Sequence, residues 1–137
     1  YFDRDAEGYV QMDMSGVEVN EGVEINVPDI YFTTGSSKLK NESYYILDQV
    51  VSFFAANENV QVEIGSHSDS KGDDNENMTL SKERATSIVK YLEGQGVTLA
   101  QLQAKGYGET TPAVNCTECT PEEHEKNRRT TFKILNN

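Results

Sequence analysis

Val60-Gln-Val-Glu-Ile-Gly-Ser-His-Ser-Asp-Ser-Lys-Gly72, followed by Asn77-Met-Thr-Leu-Ser-Lys-Glu-Arg-Ala85, decides the fold. In Val60–Ile64 β-branched residues alternate with polar ones, the period of a half-buried strand. Asp69-Ser-Lys-Gly72 is a turn sequence. Asp73-Asp-Asn-Glu76 has the spacing of a capping box. Met78, Ala85, Ile88, Val89 and Leu92 then line one face of a helix, which Gly94-Gln-Gly96 stops. This strand–turn–helix order predicts that Asp69, at a strand's end, and Arg84, one or two turns into a helix, face one crevice. Such a pair is either a structural ion pair or a clamp for a zwitterion. In the clamp, Asp69 takes an ammonium group. Arg84 takes a carboxylate, whose geometry its planar fork matches.

Working outward, Ile25–Phe32 reads as a first core strand, interrupted at Pro28-Asp29 and resumed at Ile30. Thr33-Thr-Gly-Ser-Ser37 is a turn. Asn41-Glu-Ser43 offers N-caps for a helix with Ile46, Leu47, Val50, Val51 and Phe54 on one face. Leu102–Tyr107 is a further strand. Thr120-Pro-Glu-Glu123 combines a capping box with proline at the first helical position. That short helix ends near Asn127, and Thr130–Leu135 is the last strand. The predicted order is βαβαβαβ. It describes an α+β two-layer sandwich, a mixed four-stranded sheet covered on one face by two long helices. Residues 1–24 read as an N-terminal extension or the tail of a preceding module, and 25–137 as the domain. Within the extension, Tyr9–Met14 alternates like a short strand. Val17–Asn20 and Val23–Asn26 suggest a small hairpin around Glu21-Gly22.

At 137 residues the chain is long enough for one core without help from metals or disulfides. Its net charge of −11 argues against nucleic acid and anionic lipid surfaces as partners. The first 30 residues hold eight Asp or Glu and one Arg, so most of the excess lies away from the crevice. No stretch approaches the ~20 apolar residues of a membrane-spanning helix. The chain opens at Tyr1 without Met, signal peptide or lipobox cysteine, and so reads as part of a longer protein whose membrane attachment lies outside it.

Val62-Glu-Ile-Gly-Ser-His-Ser-Asp-Ser-Lys-Gly72, Asn77-x-x-Leu-Ser-x-x-Arg-Ala85, Ala104-Lys-Gly-Tyr-Gly-Glu109 with Pro112, and Asn127-Arg-Arg-Thr130 together resemble the OmpA-like C-terminal peptidoglycan-binding domain. That family includes peptidoglycan-associated lipoproteins and flagellar stator anchors. The resemblance covers roughly Ile30–Leu135, and the four motifs occur in the family's order. It implies non-catalytic binding of the peptidoglycan stem peptide at meso-diaminopimelate, without a cofactor. Its setting would be the periplasmic side of the outer membrane in a Gram-negative envelope, where it anchors an outer-membrane protein or complex to the wall. Diaminopimelate carries an ammonium and a carboxylate on one carbon, the chemistry an Asp69–Arg84 clamp serves. The alternative is a domain with a structural or protein-interaction role and no peptidoglycan binding.

The resemblance implies a ligand site of Asp69, Arg84, Asn77, Leu80, Arg128 and Thr33. Each has a local alternative. Asp69 caps a turn, Asn77 caps a helix, Leu80 joins the core, and Arg84 is a surface helix residue. An arginine near a helix start also opposes the macrodipole, which a carboxylate ligand would relieve. Of Arg128 and Arg129, one lines the site and the other is solvated. Thr33 stands where many members carry Asp, so that strand can offer a hydrogen bond but no charge. Ser68 replaces the family's usual Thr and keeps the hydroxyl. His67 reads as a structural hydrogen-bonding residue. Ser66, His67 and Asp69 do not make a triad, because neighbours on one short stretch point in different directions.

Cys116 and Cys119 form a C-x-x-C whose readings are a disulfide, two free thiols or a redox pair. The loop that precedes them is not the strand a thioredoxin-type motif follows. Zinc needs four ligands, and Cys116, Cys119 and His124 make three. The surrounding Asn115–His124 stretch resembles versions in Bacteroidetes-type outer-membrane proteins.

Overall fold

The computed structural model describes residues 2–12 and 20–136. A short hairpin, β1 (Phe2–Arg4) and β2 (Val10–Met12), precedes the main body. There follow β3 (Glu24–Val27), α1 (Tyr44–Ala56), β4 (Gln61–His67), α2 (Asp74–Gly94), β5 (Leu102–Gly108), α3 (Pro121–Asn127) and β6 (Arg129–Asn136). The four-stranded sheet has the order β3-β6-β4-β5; β4 and β5 run parallel and the other pairs antiparallel. This is the mixed α+β two-layer arrangement expected from the alternation of strand and helix patterns.

Register shows which face is covered. Val62 lies opposite Ile134, Ile64 opposite Phe132, and Phe132 opposite Ile25, so these side chains share one face. They join Ile46, Leu47, Val50 and Phe54 of α1 and Ile88, Val89 and Leu92 of α2 in one core. Full burial of each such side chain contributes on the order of 1.5–3 kcal/mol. The alternate positions Glu63, Lys105 and Lys133 stay partly or wholly exposed. Gly106 lets α2 lie close on β5, because a Cβ there would collide with the Lys82 backbone. That contact sets the depth at which α2 delivers its side chains to the strand ends.

Local signals explain most boundaries. The Asp73 side chain accepts from Glu76 N–H at 3.0 Å and starts α2; the reciprocal half of the expected capping box is not formed. Thr120 and Glu123 make both halves of theirs, with Pro121 at the start of α3. Gly96, at φ +106°, ends the α2 exit.

Four expectations are corrected. The first core strand does not resume after Pro28. Proline has no N–H for the ladder, Asp29 adopts φ +60°, and only an isolated bridge links Phe32 to Leu39. Asn41-Glu-Ser43 forms a 3-10 turn rather than a side-chain cap; Ser43 Oγ instead accepts from Tyr31 N–H and donates to Tyr31 O. Phe53 is buried and Val51 only half-buried. On α2, Ser81 is buried where Met78 was expected, and its hydroxyl accepts from Gly108 N–H.

Residues 2–12, set apart by their sequence, share the core. Val10 is buried in it, and Gln49 of α1 accepts from Met12 N–H and donates to Val10 O. Met14 and the Val17–Val19 arm of the suggested hairpin lie outside the described residues.

Candidate functional site

The ends of β3, β4 and β6 open into a cavity of about 1200 Å³. Asp69, Arg84, Asn77, Leu80 and Arg128 all line it, together with Phe32, Thr34 and Gly35 from the turn after Ile30. Thr33 is exposed and is not among the lining residues. Its backbone serves the turn instead: Thr33 O accepts from Ser36 N–H at 2.9 Å, with Gly35 at φ +68°. The lining carries five Lys or Arg and three Asp or Glu, inside a protein of net charge −11. The cavity is thus a cationic basin in an acidic molecule, which favours anionic ligands.

The Thr33–Ser36 turn explains how Arg84 is held. Its Nε donates to Ser36 O at 2.9 Å, and its guanidinium lies 4.9 Å from the centre of the Phe32 ring. Among the described residues Arg84 has no carboxylate partner. Burial, and after it the Arg128 charge, pulls the Arg84 pKa below its ordinary value; an arginine so placed remains charged. Arg84 also lies deeper than expected. α2 begins at Asp74, so Arg84 sits about three turns in, beyond the reach of the N-terminal dipole. What makes its charge costly is desolvation, not the macrodipole.

Asp69 is held differently. Its Oδ2 accepts from Arg128 Nη1 at 2.5 Å, and its Oδ1 accepts from Lys71 N–H at 2.9 Å. Its side chain is 11% exposed, that of Arg128 47%. His124 Nδ1 lies 4.0 Å from Oδ2, buried and, among the described residues, without a hydrogen-bond partner. The structural ion pair considered for Asp69 therefore exists, but with Arg128 rather than Arg84. A carboxylate offers about four acceptor positions, so Asp69 retains capacity for a further donor.

Asn77 neither caps α2 nor stands free. Its Nδ2 donates to Lys71 O at 2.8 Å and to Asp69 O at 3.4 Å, which fixes the turn that carries Asp69. Leu80 is half-buried on the cavity wall. Arg129, expected to be solvated if Arg128 lined the site, also lines the cavity and donates to Thr111 O at 2.8 Å. His67 bridges Thr131 and Thr111 hydroxyls at 3.1 Å each and stacks on Tyr107. Burial, then the Arg129 charge, lowers its pKa to about 4.

Ala113 and Val114 complete one wall, a contribution sequence reasoning missed. Asn127 clamps Val114 at both ends, accepting from its N–H at 2.8 Å and donating to its carbonyl at 3.0 Å. Cys116 and Cys119 are joined as a disulfide beside this wall. Among the described residues no group of three or more His, Cys, Asp or Glu is placed to hold a metal ion. No described helix is long and apolar enough to cross a membrane.

Residues 31–128 match the OmpA family. Over 100 residues the chain is 30% identical to the peptidoglycan-associated lipoprotein of Buchnera aphidicola, covering 73% of this chain and 57% of that protein. It is 34% identical over 118 residues to photosystem I P700 chlorophyll a apoprotein A2 of Gloeobacter violaceus, covering 82% of this chain but 14% of that one. The chain thus spans less than two thirds of the length of these curated relatives. A crystal structure of a putative MotB-like protein from Desulfovibrio vulgaris superposes with a TM-score of 0.71 at 24% identity, covering 83% of this chain and 73% of that one.

Proposed function

Since the chain belongs to the OmpA family, we propose that its cavity binds the peptide stem of peptidoglycan at diaminopimelate, without catalysis. In this reading the domain anchors an outer-membrane protein or complex to the wall from the periplasmic side. The observation that carries it is Arg84: a half-buried cation that lacks a carboxylate partner among the described residues, in a cationic cavity. With Nε committed to Ser36 O, the two Nη groups remain to grip a ligand carboxylate side by side. The ligand's ammonium joins Asp69 beside Arg128. Asn77 holds the Asp69 turn, and Leu80 packs against the ligand's alkyl chain. We assign no contact to the Thr33 side chain, so the loss of charge at that position does not weaken the reading.

The test has two stages. Purified sacculi should retain the protein in a pull-down; failure to do so removes the peptidoglycan reading. Calorimetry should then show a preference for diaminopimelate-type over lysine-type muropeptides. Lysine's side chain lacks the second carboxylate and leaves Arg84 unpaired. A charge-assisted hydrogen bond contributes about 1.5–3 kcal/mol, so the preference should be about tenfold or more. Equal affinity would remove the diaminopimelate assignment while leaving wall binding intact.

A further inference from the structure

Three donors converge on Asp29. Arg4 Nη1 and Nη2 donate to its two carboxylate oxygens at 2.9 and 3.1 Å, and the Tyr31 hydroxyl donates to Oδ1 at 3.1 Å. The Arg4 hydrogen bonds hold the Asp29 carboxyl below its usual pKa range, so it stays ionised as an acceptor. Arg4 Nη1 also donates to Gly8 O, which ties this point to the β1–β2 hairpin. The backbone of Tyr31 is fixed as well. Its N–H donates to Ser43 Oγ at 2.7 Å, and its carbonyl accepts from Lys40 N–H at 2.9 Å and from Ser43 Oγ at 3.0 Å. Yet the Tyr31 residue is 48% exposed and lines the same cavity as Asp69 and Arg84.

An exposed aromatic ring held at both ends is a preorganised contact surface, because little further freedom is lost when a ligand lies on it. The cavity also exceeds the roughly 300–1,000 Å³ of an ordinary small-molecule site, and a single diaminopimelate residue leaves much of it empty. Along with Tyr31, α3 contributes Glu125 and Lys126 to the wall, an acceptor and a donor suited to hydroxyl and acetamido groups. An uncharged ligand part with one apolar face and polar edges fits this wall. The stem is covalently joined to such a group, the N-acetylated sugar of the glycan strand.

We propose that Tyr31 is a stacking platform for that sugar ring, so that the cavity binds the junction of stem and glycan rather than the peptide alone. This rests on the peptide-stem reading and extends it. The pyranose C–H face lies on the Tyr31 ring, and Glu125 and Lys126 meet its polar edge.

Two probes test it: the free diaminopimelate-containing stem tripeptide and the same tripeptide carrying N-acetylmuramic acid. The wild-type protein should bind the sugar-bearing probe about fivefold tighter, the order of an aromatic stacking contact. Tyr31→Ala should erase that preference and leave affinity for the free tripeptide within about twofold. Tyr31→Trp, which keeps a ring, should retain it. A wild-type protein that binds both probes equally overturns the platform and spares the peptide-stem reading. So does a preference that survives Tyr31→Ala, or a Tyr31→Ala variant that weakens both probes alike. A wild-type protein that binds neither probe overturns both proposals.

Discussion

Two of the arginines that line the cavity, Arg128 and Arg84, are treated in opposite ways. Arg128, half-exposed, is neutralised by Asp69 at 2.5 Å. Arg84, half-buried, has one backbone carbonyl and one aromatic ring. A paired charge is complete without a ligand and contributes to the fold. An unpaired, desolvated one is a standing cost that a ligand carboxylate can relieve. The difference separates the wall that holds the site in shape from the wall where affinity for an anion resides.

Asp69→Ala should break the paired wall and have the largest effect. It leaves Arg128 and Lys71 N–H without their acceptor, at about 1–3 kcal/mol of stability. Urea unfolding should show that loss, together with weaker binding to sacculi. The loss of stability follows from the partners Asp69 finds inside the protein, Arg128 and the Lys71 N–H. Next comes Arg84→Ala, with about 1.5–3 kcal/mol of binding lost and stability unchanged within about 0.5 kcal/mol. If Arg84→Ala unfolds as readily as Asp69→Ala, the contrast between the walls is wrong.

His67 sharpens the comparison through pH. Its folded pKa of about 4 lies below the ordinary 6.5. Between those values the unfolded chain binds a proton the folded chain does not, so this contribution is full above pH 6.5 and is lost as pH falls toward 4. Relative to His67→Gln, the wild-type protein should lose roughly 1–2 kcal/mol between pH 7.5 and 4.5 in urea titrations. An unchanged difference would mean that His67 is already accessible to protons. The smallest effect belongs to the disulfide. Reduction opens a very small loop, worth about 2 kcal/mol or less. Because Asn127 holds Val114 independently, muropeptide affinity measured with and without reductant should stay within about twofold. A larger change would mean that the disulfide shapes the wall.

The sheet and helices were legible because their signals are local. The Val60–Ile64 alternation, the α2 face and the Thr120 capping box each sit within a few residues of what they specify. The motifs that carry the resemblance also name five residues that do meet in one cavity. What stayed hidden is pairing at a distance. Nothing near Asp69 marks Arg128, 59 residues later, as its partner. Ser36 holds Arg84 through a carbonyl that every residue possesses. The early end of β3 follows from Pro28 and Asp29, where a hydrophobic pattern continues but the backbone cannot. The role of residues 2–12 turns on Arg4 reaching Asp29, which no periodicity announces.

In the sheet order β3-β6-β4-β5, the strand that separates β3 from β4 is the last one in the chain. Val27 pairs with Thr130, so joining β3 to the rest closes a loop of roughly a hundred residues, an entropic cost met before the contact rewards it. Arg128 directly precedes that strand, so the grip on Asp69 forms only when β6 docks. Until then β3 lacks its only neighbour among the described strands. The two walls therefore differ in what they wait for: the Asp69–Arg128 pair needs β6 in place, whereas Arg84, Ser36 and Phe32 all precede that strand in the chain.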